Sequence, residues 1–385
     1  MSGPDLFARP RGVRRGATLA LVFAVVLATG AATGSLGRTD RDDAHDDEVR
    51  PVPAAQRVSE AAARAMIDGK SPTEAAEDAV SRSGDRWGAV YDAGEYEEFE
   101  QDLDGRYTGV GLWTVRGGDG GIVVDRVQRG GPADRAGIEA GDRLRTVDGR
   151  PVADRRVAEV VEMLRGERDG AGSTVELGLR RGARVWHETL HRADLRRETV
   201  AVERLPDGNV QIKVKAFTKG SGERVRRAVR QAPSGSGVLL DLRGNGGGLV
   251  DEAVDAASAF LDGGLVATYD VRGEQRALHA SRGGDAARPV VALVDGGTMS
   301  AAELLTGALQ DRGRAVVVGT RTFGKGSVQM PSKLPDGSVA ELTVGHYSTP
   351  SGRNVDGRGL TPDLVAGDGA QERARTVLSG LGTPS

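Results

Sequence analysis

The spacing of apolar and polar positions divides the 385-residue chain into stretches of distinct texture. Arg11, Arg14 and Arg15 precede an uncharged run over 16–36, apolar at first and then rich in Ala, Thr, Gly and Ser. A basic flank, an apolar run and a small-residue end read as a signal peptide, and the run is also long enough to stay as a membrane anchor. The polar, acidic stretch 37–56 has the composition of a disordered linker. Helical spacing then predicts helices over 58–68 and 71–83. Ser71 with Glu74 three residues on forms a capping box, and Pro72 suits the first helical position. Residues 57–105 are therefore expected to be a small helical arm, suited to dimerisation.

From 106 to 194 the chain reads as short strands with Gly-rich turns, a helix over 156–165 and a strand over 174–179. Beyond 195 strands and helices alternate. Strands are expected over 200–203, 209–217, 237–242, 290–294 and 315–319, and helices over 223–231, 250–261 and 301–311. Such alternation predicts an α/β core with crossover connections, extending to 368 and followed by a tail over 369–385. Loops should gather at the strand ends, and the chemistry with them.

Charge and composition narrow the partners. A net charge of -3, with both signs interspersed, lacks the basic surplus that displaces phosphate counterions, so nucleic acid is excluded in favour of protein or peptide. Without cysteine there is no disulfide, thiolate metal site, cysteine nucleophile or lipoprotein anchor. Of 52 basic residues only Lys70, Lys213, Lys215, Lys219, Lys325 and Lys333 are lysine, which makes each lysine informative.

Three loops carry candidate chemistry. Asp241-Leu242-Arg243-Gly244-Asn245-Gly246-Gly247-Gly248 follows an apolar strand, and its glycines can leave N–H groups facing an oxyanion. Asp295-Gly296-Gly297-Thr298-Met299-Ser300 places Ser300 at a turn into a helix whose positive end favours negative charge. The third loop contains Phe323-Gly324-Lys325-Gly326-Ser327-Val328-Gln329. A nucleophilic serine needs a base. His45, His187, His191, His279 and His346 all lie outside these loops and are read as surface or structural residues. Lysine can substitute only if burial lowers its pKa from about 10.4 to about 7–8, which costs about 4 kcal/mol. Arginine stays charged and has no such use.

The run 107–194, with Gly109-Val110-Gly111-Leu112, Gly131-Pro132-Ala133-Asp134-Arg135-Ala136-Gly137-Ile138 and Gly141-Asp142-Arg143-Leu144, resembles a circularly permuted bacterial PDZ domain. In that family a peptide C-terminus adds as a strand and its carboxylate is held by backbone N–H groups. The resemblance implies carboxylate capture around Val110, Gly111 and Leu112. A tight turn without a ligand is the plainer alternative for these glycines.

The segment 196–367 resembles the core of the C-terminal processing (tail-specific) peptidases, serine peptidases with a Ser/Lys site. The order of helical arm, PDZ module and core is also the family's. The resemblance implies an α/β fold, a ClpP/crotonase-like peptidase core with an inserted PDZ domain and an N-terminal helical arm. By position Ser300 matches the nucleophile, Lys325 the base and Gln329 the residue that orients it. Ala301 with Gly246 or Gly247 matches the oxyanion hole. Ser300 precedes Lys325 by twenty-five residues, the family's spacing, although the serines that commonly flank the nucleophile are gone, with Thr298 and Ala302 in their places. The expected partners are proteins with apolar C-termini, with no cofactor and no metal. The expected location is outside the cytoplasm, and a homodimer fits the helical arm.

Rival readings remain. Gly319 to Lys325 fits most of a phosphate-binding loop, but Gly326 stands where a magnesium-ligating Ser or Thr would be. A crotonase-type acyl-thioester enzyme and a catalytically inactive PDZ peptide-binding scaffold are the other two.

Overall fold

The computed structural model describes residues 54–166, 170–271 and 274–381. The expected export segment and linker fall among residues 1–53, outside the described residues apart from the linker's last three positions, which begin a helix. The described chain forms two compact units, one over 97–198 and one combining 54–96 with 199–381.

The larger unit is organised by a six-stranded sheet. Strands Val200–Arg204, Val210–Val214, Val238–Asp241, Val290–Val294, Val316–Gly319 and Leu364–Val365 lie side by side in chain order. The first pair is antiparallel and the rest are parallel. Parallel neighbours require crossovers, and these place helices on the sheet. The pleat then sorts the side chains. Leu240, Ala292, Val294 and Val317 face helices Ser221–Gln231, Val250–Ala257 and Ala301–Asp311. Leu239, Val291, Leu293 and Val318 face the opposite way, against Ala370, Ala374 and Leu378.

Those last three residues correct the expected tail. The stretch after 369 is a helix, Ala370–Leu381, whose apolar positions recur every four residues and close the second face of the sheet. The strand expected over 209–217 also ends earlier, at Val214. Beyond it the N–H of Phe217 donates to Gly247 and the carbonyl of Phe217 accepts from Leu249, which ties this turn to the glycine loop.

A second sheet was not foreseen. Strands Ala89–Tyr91, Val339–Ser348, Leu265–Val271 and Glu274–His279 lie in that order, and Ser327–Lys333 pairs along Val339–Ser348. The expected helical arm is present as Ala54–Ile67 and Pro72–Ser83, with the N–H of Glu74 donating to Ser71 Oγ at 3.2 Å. Its apolar face is occupied within the chain: Val58, Ala62, Ala76 and Val80 pack with Leu334, Ala340 and Leu342. Among the described residues no helix is long and apolar enough to cross a membrane.

The smaller unit is an antiparallel sheet of Leu112–Arg116, Ile122–Val127, Arg143–Val147, Thr174–Arg181 and Arg184–His191, in that order, with Val157–Arg165 as its longer helix. Leu112–Arg116 is an edge strand. Just before it Gly111 has φ +79°, a conformation that favours glycine. The carbonyls of Val110 and Gly111 accept from Ala133 and Gln128, whereas their own N–H groups make no hydrogen bond among the described residues.

If the C-terminal helix is part of the core, Leu378→Ala should lower unfolding free energy by about 2–5 kcal/mol. The urea midpoint measures this, and an unchanged midpoint would return the segment to the status of a tail.

Candidate active site

The three loops singled out in the sequence leave the carboxyl ends of three adjacent parallel strands, Val238–Asp241, Val290–Val294 and Val316–Gly319. Open α/β sheets collect their sites at that edge. Hydrogen bonds knit the glycine loop to the serine turn. Asp295 Oδ1 accepts from the N–H groups of Gly244 and Gly297, both at 2.9 Å. Thr298 donates its hydroxyl to the carbonyl of Leu242, and the N–H of Met299 donates to the carbonyl of Asn245.

This wiring drives the chain sharply into the helix Ala301–Asp311. Ser300, at the corner, takes φ +65° and ψ −122°, and only one other non-glycine residue among those described has positive φ. Such a conformation costs about 1–3 kcal/mol and persists only where its surroundings impose it. The Ser300 side chain is fully buried, and its Oγ makes no hydrogen bond among the described residues. Glycine is required opposite it: a Cβ on Gly247 would stand 2.8 Å from Ser300 Cβ and 3.1 Å from its Oγ.

The amides near Ser300 are not equivalent. Gly247 already donates its N–H to Asn245 Oδ1 at 2.9 Å, and Asn245 in turn donates to the carbonyl of Val214. The N–H groups of Gly246 and of Ala301, first in its helix, make no hydrogen bond among the described residues. Of the three positions matched by resemblance to an oxyanion hole, Gly246 and Ala301 therefore keep an available donor, and Gly247 contributes close approach.

Glu303, one turn into the helix, joins the serine turn to the lysine loop. Its Oε2 accepts from the N–H of Ser300 at 2.8 Å and of Lys325 at 2.9 Å. Its Oε1 accepts from the N–H of Gly324 at 2.7 Å and the hydroxyl of Thr322 at 2.5 Å. Burial pushes the Glu303 carboxyl up, against these hydrogen bonds. The arrangement also disposes of the phosphate-loop reading, because the amides of Gly324 and Lys325 are committed to a carboxylate of the chain itself. Tyr347 adds a second tie: its hydroxyl donates to the carbonyl of Ser300 and its N–H to the carbonyl of Gly326.

Lys325 is fully buried, and burial lowers its amine to about 7, opposed by the carboxylates of Glu341, Asp85, Asp356 and Glu303. Its Nζ lies 5.0 Å from the centroid of the Trp87 ring. Such an amine exchanges a proton near neutral pH, as a base must. Gln329, also buried, sits after a bulge between Val328 and Gln329 and donates from Nε2 to Ser327 Oγ at 2.8 Å and Thr343 Oγ1 at 3.1 Å. His346 is half-exposed, 3.7 Å from Asp356, and the other described histidines lie on hairpin strands away from these loops.

Sequence reasoning passed over Glu303, Trp87, Asp85, Thr343 and Tyr347. Ser300 and Glu303 have capping-box spacing, which could have revealed Glu303. Asp85 and Thr343 are 258 positions apart and leave no local signal.

Residues 210–366 match peptidase family S41, and residues 123–181 match the PDZ domain family. Carboxyl-terminal-processing peptidase 3, chloroplastic, of Arabidopsis thaliana is 34% identical over 304 residues, 74% of this chain and 58% of the relative. Carboxy-terminal processing protease CtpA of Bacillus subtilis is 30% identical over 291 residues, 73% of this chain and 61% of the relative. The chain thus spans about three fifths of the length of these curated relatives. The solved photosystem II D1 C-terminal processing protease is 26% identical with a TM-score of 0.51, over 86% of this chain and 98% of that one. Residues 210–366 of this chain thus form a peptidase family S41 core, and residues 123–181 a PDZ domain.

Proposed function

We propose that this chain is a serine endopeptidase acting outside the cytoplasm on proteins recognised by their C-terminal tails. Ser300 is the nucleophile, Lys325 the general base and Gln329 the side chain that orients the lysine. The observation that carries this reading is the buried Lys325 amine, lowered to about 7 and tied through Glu303 to the strained turn bearing Ser300. A peptide-binding scaffold has no use for a lysine desolvated in this way. The names of the relatives, carboxyl-terminal-processing peptidases, support the tail-directed part.

Neutral Lys325 takes the hydroxyl proton of Ser300 as the oxygen attacks a substrate amide. The developing oxyanion is met by the N–H groups of Gly246 and Ala301, near the positive end of the helix. The lysine, now an ammonium, gives its proton to the leaving amine, and water reverses the sequence to release the acyl group. Ser300 Oγ carries no hydrogen bond in the described state. In the PDZ unit, the N–H groups of Val110 and Gly111, which make no hydrogen bond among the described residues and lie beside the edge strand beginning at Leu112, take the substrate's terminal carboxylate. Apolar tails suit the apolar core behind that strand. The run over 16–36 delivers the enzyme across the membrane, as signal or as anchor.

Ser300→Ala and Lys325→Arg should each cut cleavage of an unstructured polypeptide ending Val-Ala-Val by about three orders of magnitude or more, since members of a catalytic unit fail together. Retained cleavage by Lys325→Arg would remove the proposed base. Because the lysine works when neutral, kcat/KM of the unaltered enzyme should rise with pH through about 7 and level off above it. A profile flat from pH 5 to 9 would contradict this. Glu303→Gln turns an acceptor into a partial donor facing four donors. It should lower kcat at least tenfold and unfolding free energy by about 2–4 kcal/mol, read by turnover and urea unfolding. Amidation of the substrate's C-terminus should raise KM; equal KM would leave Val110 to Leu112 without a carboxylate role.

A further inference from the structure

We infer that Asp85, acting through the hydroxyl of Thr343, is a positioning residue that locks the side-chain amide of Gln329 in one of its two orientations. This rests on the proposed role of Gln329 beside Lys325 and supplies what that role needs. An amide serves a lysine correctly only from its oxygen end, which accepts from the amine and from the ammonium formed during attack. Turned over, it would present N–H groups to the lone pair that must take the serine proton.

The neighbours of Gln329 do not decide this by themselves. Nε2 lies 2.8 Å from Ser327 Oγ and 3.1 Å from Thr343 Oγ1, and a hydroxyl can either accept from an amide nitrogen or donate to an amide oxygen. The decision comes one step further out. Thr343 Oγ1 lies 2.8 Å from Asp85 Oδ1, and a carboxylate only accepts, so the single hydroxyl proton of Thr343 is spent there. Only lone pairs remain to face Gln329, which must then offer Nε2 and keep Oε1 at its other end.

Asp85 is itself immobilised. Its Oδ1 accepts from the N–H groups of Trp87 at 3.0 Å and Gly88 at 2.9 Å, and its Oδ2 from the N–H of Thr343 at 2.7 Å. Thr343 and Gln329 face each other across paired strands, and both Gln329 and Lys325 are fully buried, so no water competes to reorient the amide. The direction of hydrogen bonding thus runs from a fixed carboxylate, through one hydroxyl, to the amide. Asp85 belongs to the turn after the helix Pro72–Ser83, and Trp87 of the same turn covers the lysine amine. The segment before the PDZ unit in sequence is in this sense part of the catalytic core.

The test is cleavage of the same Val-Ala-Val polypeptide by the full chain and by Asp85→Asn, Thr343→Val, Thr343→Ser, Gln329→Ala and the double variant Thr343→Val/Gln329→Ala, with kcat, KM and pH profiles. Thr343→Val should lose about 10–100-fold in kcat with KM within about twofold, a range typical of lost orientation. Losing the acceptor disfavours the ammonium, so the acidic limb should move to lower pH, and Asp85→Asn should do the same. Thr343→Ser keeps the proton and should restore kcat and limb together, which a variant harmed merely in folding would not do. The double variant should be no slower than Gln329→Ala. Thr343→Val with unaltered kcat and limb, or losses that multiply in the double variant, would overturn the lock. If Gln329→Ala itself cleaves at full rate, the lock falls together with the reading of Gln329. If it is slow while Thr343→Val is normal, the lock alone falls.

Discussion

The carboxylate of Glu303 is the contact on which the arrangement of the site depends. It is fully buried and accepts from three backbone N–H groups and one hydroxyl, drawn from the serine turn and the lysine loop. A buried carboxylate is tolerable only where donors converge on it, and donors of this kind are worth more to a charge than to a neutral group. The two loops therefore reach their places together or not at all. The same contact holds the N–H of Ser300 while Tyr347 holds its carbonyl, so both peptide groups of the strained residue are anchored. That is how a serine keeps a backbone conformation which favours glycine.

Around Lys325 two large effects oppose each other. Burial drives the amine toward neutrality, and the carboxylates of Glu341, Asp85, Asp356 and Glu303 drive it toward charge. Burial prevails by enough to bring the amine to about 7, and the carboxylates keep it from falling further. Glu303 and Asp356 reach the loop through its backbone N–H groups, and Asp85 through Thr343, so each has a structural task besides its charge. Asp85 thereby influences Lys325 twice, by its field and by the direction it imposes on hydrogen bonds.

The peptidase sheet was legible because its strands are covered on both faces. Val238–Asp241 and Val290–Val294 are buried at every position and, Asp241 apart, read as unbroken apolar runs, and the helix Ala301–Asp311 was expected with those same bounds. The second sheet was not legible. Glu274–His279 is exposed at most positions and has no apolar alternation, and Val339–Ser348 acquires its partners from both ends of the unit. The C-terminal helix was taken for a tail because its three buried residues, two of them alanine, are too small to announce an apolar face.

By itself the sequence determined the reagents and their spacing: a serine at a turn, one lysine in a glycine loop of an arginine-rich chain, a glutamine four positions on, and glycines where side chains would collide. These are local properties, set by residue type and by what a backbone permits at a turn. Tertiary structure decided the state of each reagent. The acidity of Lys325 depends on burial and on carboxylates from four separate places in the chain. Which amides remain available depends on Asn245 having taken that of Gly247. The orientation of Gln329 depends on a carboxylate 258 residues from the threonine it holds. Proton affinity and hydrogen-bond direction are set by whatever lies within a few ångströms in space, and sequence order does not record that.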